Sequence, residues 1–200
     1  GQYLAENSDG GDVVLTSNNG ATVVGKKTFT YLTQGVVEDV SPSTGQFGTT
    51  VTLTGSSLLG GGVSPVTVTL GGVEATVDTH SATKIVVAAG DGVGSEGPGG
   101  IYIISDTGAT VTRFDGWSYL ELGDIKTITP NSGVIGTVIT ITGERLHGGG
   151  SQVVDVSIGG VSAEITGESD VGIGLVAEQG TGGEVDVVIT TDSGAIITEI

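Results

Sequence analysis

The stretch "SPSTGQFGTTVTLTG" at 41–55 returns as "TPNSGVIGTVITITG" at 129–143, a shift of 88 residues. The same step relates "GGG" at 60–62 to 148–150 and "GGV" at 71–73 to 159–161. A partial third copy stands at the front, where "GATVVGKKTFTYL" (20–32) matches "GATVTRFDGWSYL" (108–120). A period of this length is too long for a turn or one coil of a solenoid, and it suits a small domain. The chain must therefore fold as tandem units that obey one plan, divided at 1–34, 35–122 and 123–200.

Within the reference unit the local pattern is that of short strands. "VVEDV" ends at Pro42, which interrupts a ladder, and the Ser, Thr and Gly45 that surround it supply turn chemistry. "TTVTLTG" alternates strictly, with Val51 and Leu53 on one face and Thr50, Thr52 and Thr54 on the other, which predicts one buried and one wet face. In "SPVTVTL" Val66, Val68 and Leu70 share a face, and "GG" then turns the chain into "VEATV" as a hairpin. "KIVVAA", "IYIIS" and "ATVTRFDGWSYLE" complete seven strands with no helical period, so a β-sandwich is expected. In the 123–200 unit Ile139 and Ile141 replace Val51 and Leu53, and Val154, Val156 and Ile158 replace Val66, Val68 and Leu70. Apolar identity changes while phase is kept, because a slip of one residue would turn the core face to water.

The composition excludes several classes of function. The formal charge is −17, from 23 acidic against 6 basic residues, and no basic cluster exceeds Lys26–Lys27. Such a surface repels phosphates, so no nucleic-acid partner is expected. With no Cys there is neither a disulfide framework nor a thiolate metal site. No run approaches the roughly 20 apolar residues that span a bilayer, and "GQYLAENSDGG" has neither the basic nor the apolar region of a signal peptide. A soluble chain without membrane insertion is expected, any signal or anchor lying outside it.

The order "VSPSTGQFGTTVTLTGSSL", "VTLGGVEATV", "TKIVVAA" and "DGWSYL" resembles the IPT/TIG domain, an immunoglobulin-like module found in plexins, some transcription factors and many microbial surface proteins. The resemblance covers 36–121 completely, 123–200 without the closing aromatic strand, and 1–34 as the final third of a module. It implies an all-β fold of tandem E-set type sandwiches in a rod-like array, with no catalytic residues. The disulfides of receptor-type members and the basic loops of DNA-binding members are absent, so the resemblance implies the branch of extracellular stalks and fibres.

Candidate sites are few. Asn7, Asp9 and Asp12 in "NSDGGD" are oxygen ligands around a Gly turn, and the loops "DGVGSEG" (91–97), "EDV" and "GDI" add carboxylates. These are the candidates for Ca²⁺, although the bidentate Glu of a 12-residue calcium loop is missing and the same residues serve plain turn chemistry, the preferred reading. His80 and His147 occupy unrelated positions without a second His or Cys beside them and read as loop residues. No Ser stands in a nucleophile elbow and no Gly loop carries G-K-S/T, so neither a catalytic residue nor a cofactor is expected. Phe29 and Tyr31 in the first copy, with Trp117 and Tyr119 in the second, recur at one repeat position. They are read as core, inter-domain or partner contacts in preference to a carbohydrate platform.

The links "TQG" (33–35) and "LG" (122–123) are short, which predicts stacked modules with little relative motion. The expectation is an extracellular or cell-surface structural or adhesive protein that self-associates or packs against neighbouring repeats. The chain begins inside one repeat and stops inside another, and an open sandwich edge invites a strand. Residues 1–34 hold two strands, so head-to-tail strand complementation into a filament is one expectation. A glycan- or protein-binding adhesin and an accessory module of a carbohydrate-active enzyme are the alternatives.

Overall fold

The computed structural model describes residues 10–94 and 97–199, and these contain strands and turns without a helix. The first two strands, β1 (Gly11–Thr16) and β2 (Thr22–Phe29), form an antiparallel hairpin that pairs with no other strand among the described residues. Eight strands follow in 35–122: β3 (Val36–Ser41), β4 (Thr44–Gly45), β5 (Thr50–Ser56), β6 (Pro65–Leu70), β7 (Val73–His80), β8 (Lys84–Ala88), β9 (Gly99–Ser105) and β10 (Thr110–Tyr119). Their order is β3-β5-β8-β7-β6-β9-β10-β4, and β7 passes from one layer of the sandwich to the other.

The third segment repeats the plan with β11 (Asp124–Thr129), β12 (Val138–Glu144), β13 (Val153–Ile158), β14 (Val161–Ser162), β15 (Glu164–Ser169), β16 (Gly172–Val176), β17 (Val187–Thr191) and β18 (Ile196–Glu199). Here the strand that corresponds to β7 is broken into β14 and β15, which leaves two four-stranded sheets, β11-β12-β16-β15 and β14-β13-β17-β18. Both domains are the antiparallel sandwiches that the alternating pattern demands, each with its own core.

The inward phase is kept across the repeat. Val51 faces Val87 and Leu53 faces Ile85 in one domain; Ile139 faces Leu175 and Ile141 faces Ile173 in the other, all of them buried. Burying each of these side chains contributes about 1.5–3 kcal/mol, which offsets the ordering cost of a small domain. Leu58 and Leu146, one repeat apart, are fully buried in their respective cores.

One expected face is corrected. Strict alternation places Val66 and Val154 on the face of Val68 and Val156, yet both are exposed. A register shift between Pro65 and Thr67, and another between Val153 and Asp155, inserts a bulge at the start of each strand. The extra residue reverses the phase on one side of it, so Val153 is buried in place of Val154.

The first-copy hairpin keeps the plan of β9 and β10 in detail. Gly11 pairs with Phe29 as Gly99 pairs with Trp117, and Lys27 holds φ 54° where Asp115 holds 53°. What differs is cover: Val13, Leu15 and Val23 are exposed, whereas their counterparts Ile101, Ile103 and Val111 are buried.

Candidate functional site

The aromatic positions divide by copy. Trp117 and Tyr119 are 1% and 5% exposed and belong to the core of their own domain, in edge-to-face contact with centroids 5.6 Å apart. Neither the Trp117 Nε1 nor the Tyr119 hydroxyl has a protein partner, and burial, with Asp91 as the lesser cause, raises the Tyr119 pKa. Buried rings offer no face to a sugar. Phe29 and Tyr31 repeat the contact at 5.0 Å and 78° but stand in the open.

Of the calcium candidates, Asn7 and Asp9 lie outside the described residues. Asp12 spends one carboxylate oxygen on the backbone N–H of Lys27 at 2.9 Å, which closes the β1–β2 bulge. Asp124 pairs with Lys126, whose pKa it raises by a hydrogen bond and by its charge. Among the described residues no three His, Asp or Glu side chains converge as a metal site.

The repeated Gly and Asp motifs form one tertiary contact. Asp106 accepts the Val63 N–H at 3.1 Å, and Asp192 accepts the Ser151 N–H at 2.8 Å, so each "DTG" or "DSG" turn anchors the loop after "GGG". A Cβ on Gly62 or Gly150 would meet that carboxylate within 2.2 Å, which is why the last glycine recurs.

That turn is also half of the joint between the two sandwiches. The corner before β5 meets it through two backbone hydrogen bonds: Thr50 N–H to Ser193 O at 2.9 Å and Ile196 N–H to Phe47 O at 3.0 Å. Gln46, fully buried, accepts the N–H of Gly123 on its side-chain oxygen at 2.8 Å. Gly123 in turn lies against the loop after β12, where a Cβ would meet the Arg145 carbonyl at 2.6 Å. Backbone bonds, a buried amide and a four-residue link between β10 and β11 act on one joint, so it resists bending as a single element.

Beside the joint opens a cleft of about 520 Å³ lined by Leu120, Glu121, Arg145, His147, Gly149 and Asp170. Arg145 Nε donates to the Leu122 carbonyl at 2.9 Å and its guanidinium lies 3.5 Å from Glu121, which ties the link to the following domain. His147 Nε2 lies 2.6 Å from Glu168, and its backbone N–H donates to Asp170 at 2.9 Å. His80 is exposed at the end of β7. A second cleft of about 340 Å³ is lined by Leu32, Thr33, Ser57, Leu59, Gly61 and Ala82, each 88 residues before a counterpart in the first. The clefts are thus a property of how modules stack; neither holds a nucleophile beside a base. Ser193–Ile196 belongs to the repeated Asp-x-Gly-Ala turn, whereas Gln46 carries no motif and is replaced by Val134 at the same repeat position.

Comparison with known proteins agrees with this architecture. The IPT/TIG domain model matches residues 36–114 and 124–199. No curated protein matches by sequence. The full extracellular region of plexin A4 is similar at 22% identity and a TM-score of 0.50, over 85% of this chain and 15% of that one. The surface glycan-binding protein PbSGBP-B from Prevotella bryantii is similar at 14% identity, with a TM-score of 0.36, over 84% of this chain and 42% of that one. The gamma-CGTase from alkalophilic Bacillus clarkii is similar at 15% identity, with a TM-score of 0.38, over 94% and 29%. This chain spans less than a fifth of the plexin chain it matches. No helix among the described residues is long and apolar enough to cross a membrane.

Proposed function

Since the chain belongs to the IPT/TIG domain family, we propose that it serves as a stiff, non-catalytic segment of an extracellular or cell-surface array, holding neighbouring parts at a fixed distance. The observation that carries this reading is the joint at Gln46, Thr50 and Ser193–Ile196, where hydrogen bonds cross between modules whose strands are four residues apart. A binding protein gains nothing from such a joint unless spacing matters. The acidic surface and regular Thr alternation suit a solvated rod.

Assembly into longer stalks or filaments is part of the proposal, through neighbouring modules. Complementation by the whole β1–β2 hairpin is disfavoured, because β17 and β18 already fill the corresponding places in 123–199.

The test is rotational diffusion of the intact chain by nuclear relaxation, with small-angle scattering as the check on shape. The reading expects 35–122 and 123–199 to tumble as one elongated body, and independent tumbling sinks it.

A further inference from the structure

The joint between the sandwiches uses two surfaces, and the chain carries each of them twice. One is the corner ahead of the second strand, 45–50 in the first domain and 133–138 in the second. The other is the pole formed by the Asp-x-Gly-Ala turn and the Gly-rich loop. In the observed joint Gln46 and Thr49 are buried, and Ala195 across from them is buried too. At the matching places of the other corner Val134 is 75% exposed and Thr137 half-buried, while Ile135 at 56% and Val138 at 68% stand where Phe47 and Thr50 keep exposure even in the joint, Phe47 at 40%.

The apolar side chains of this second corner are largely exposed, while its backbone is already in joint form. Gly48 and Gly136 hold φ 83° and 82°. Ala89 donates its N–H to Thr49 O as Ala177 does to Thr137 O, so the N–H of residue 50 and of residue 138 points away from the adjacent strand. Thr50 uses that donor on Ser193. Val138 presents the same donor beside three apolar side chains, and 133–138 carries no charge to repel an acidic neighbour.

We infer that the corner Gly133–Val138 is a docking surface for the proximal pole of a further IPT/TIG module, engaged by the same pair of backbone hydrogen bonds that Phe47 and Thr50 make. The occupant is identified by continuity with the existing joint: an uncharged turn with a free carbonyl and N–H, followed by a small residue, as in Ser193–Ile196. Val134 replaces Gln46 there, so apolar contact takes the place of the amide tie. This rests on the reading of the chain as part of a stacked array and adds the surface by which the stack grows.

The test extends the chain from Glu199 with a second copy of residues 114–199. Because β18 corresponds to the first four residues of β10, the addition supplies a closing strand, the natural link and one more module in register. Hydrogen exchange at the Val138 amide is expected to slow about tenfold or more, towards that of Thr50. The double variant Ile135→Asp, Val138→Asp is expected to restore fast exchange and let the added module tumble freely. Free tumbling of the module in the unsubstituted extension, with Val138 exchanging as before, overturns the inference. Should the extension not fold, the unextended chain gives the second measurement. Val138 exchanging as slowly as Thr50 in a strictly monomeric chain shows the corner already covered from within and also overturns it, whereas protection that appears only as copies associate supports it. A rigid joint at Gln46 together with a loose added module defeats this inference alone and leaves the stiff-array reading standing.

Discussion

The side-chain oxygen of Gln46 accepts the backbone N–H of Gly123 at 2.8 Å, and so joins the first corner of one sandwich to the first residue of the next. The amide is fully buried, and its Nε2 has no partner in the protein. Gln46→Leu removes the acceptor of the part-buried Gly123 N–H together with the unpartnered Nε2, at a net cost of about 1 kcal/mol. Calorimetry is expected to show the melting of 35–122 and 123–199 uncoupled, each domain otherwise folded. A single unchanged transition is the contrary result.

Gly48 and Gly136 make a matched pair. Both have positive φ, so Ala at either place costs about 1 kcal/mol in backbone strain. A Cβ on Gly48 would also meet the Gly194 carbonyl at 2.7 Å, whereas one on Gly136 meets nothing within 4 Å. Gly48→Ala is therefore expected to loosen the joint and Gly136→Ala to leave it intact, as read from domain tumbling. Equal effects on the joint would contradict the structure.

Trp117→Ala is expected to destabilise 35–122 by about 3–5 kcal/mol, because it empties a core site that Gly71 and Tyr119 line. Phe29→Ala, at the equivalent place of an uncovered hairpin, is expected to change stability by less than about 0.5 kcal/mol. Chemical denaturation of the two variants distinguishes a core role from an exposed one.

Tyr119 gives the pH dependence its sign. Burial raises its pKa, so the folded state keeps the phenolic proton after an unfolded tyrosine has lost it. Above about pH 10 the unfolded chain then binds fewer protons than the folded one, and stability falls as pH rises. Tyr119→Phe is expected to flatten that fall while leaving the domain at least as stable at pH 7, since the hydroxyl has no protein partner to lose. The comparison is made by urea midpoints at neutral pH and above pH 10.

Much of the fold is legible in the sequence, because a strand needs only local information. Val51 and Leu53 lie inward, Ile139 and Ile141 do the same 88 residues on, and Gly71–Gly72 turn the hairpin with positive φ as its dipeptide requires. Val66 and Val154 mislead for a physical reason: a bulge is a mismatch between two strands and leaves no mark in the residues of one. The aromatic pairs mislead differently, since Phe29 with Tyr31 and Trp117 with Tyr119 keep one geometry and differ only in what lies over them.

The residues alone convey the 88-residue repeat, the all-β plan, the inward phase of Val51, Leu53, Ile139 and Ile141, and the absence of cysteine. These follow from periodicity and composition, which act over a few residues at a time. Only the tertiary structure decided that Trp117 and Tyr119 are core, that Asp106 and Asp192 anchor the Gly-rich loops, and that Gln46, Thr50 and Ser193 form the joint. Each of those contacts brings together groups far apart in the chain, and their partners are backbone atoms that every residue carries. Such pairings become visible only when the packing of whole sheets brings the two segments to the same place.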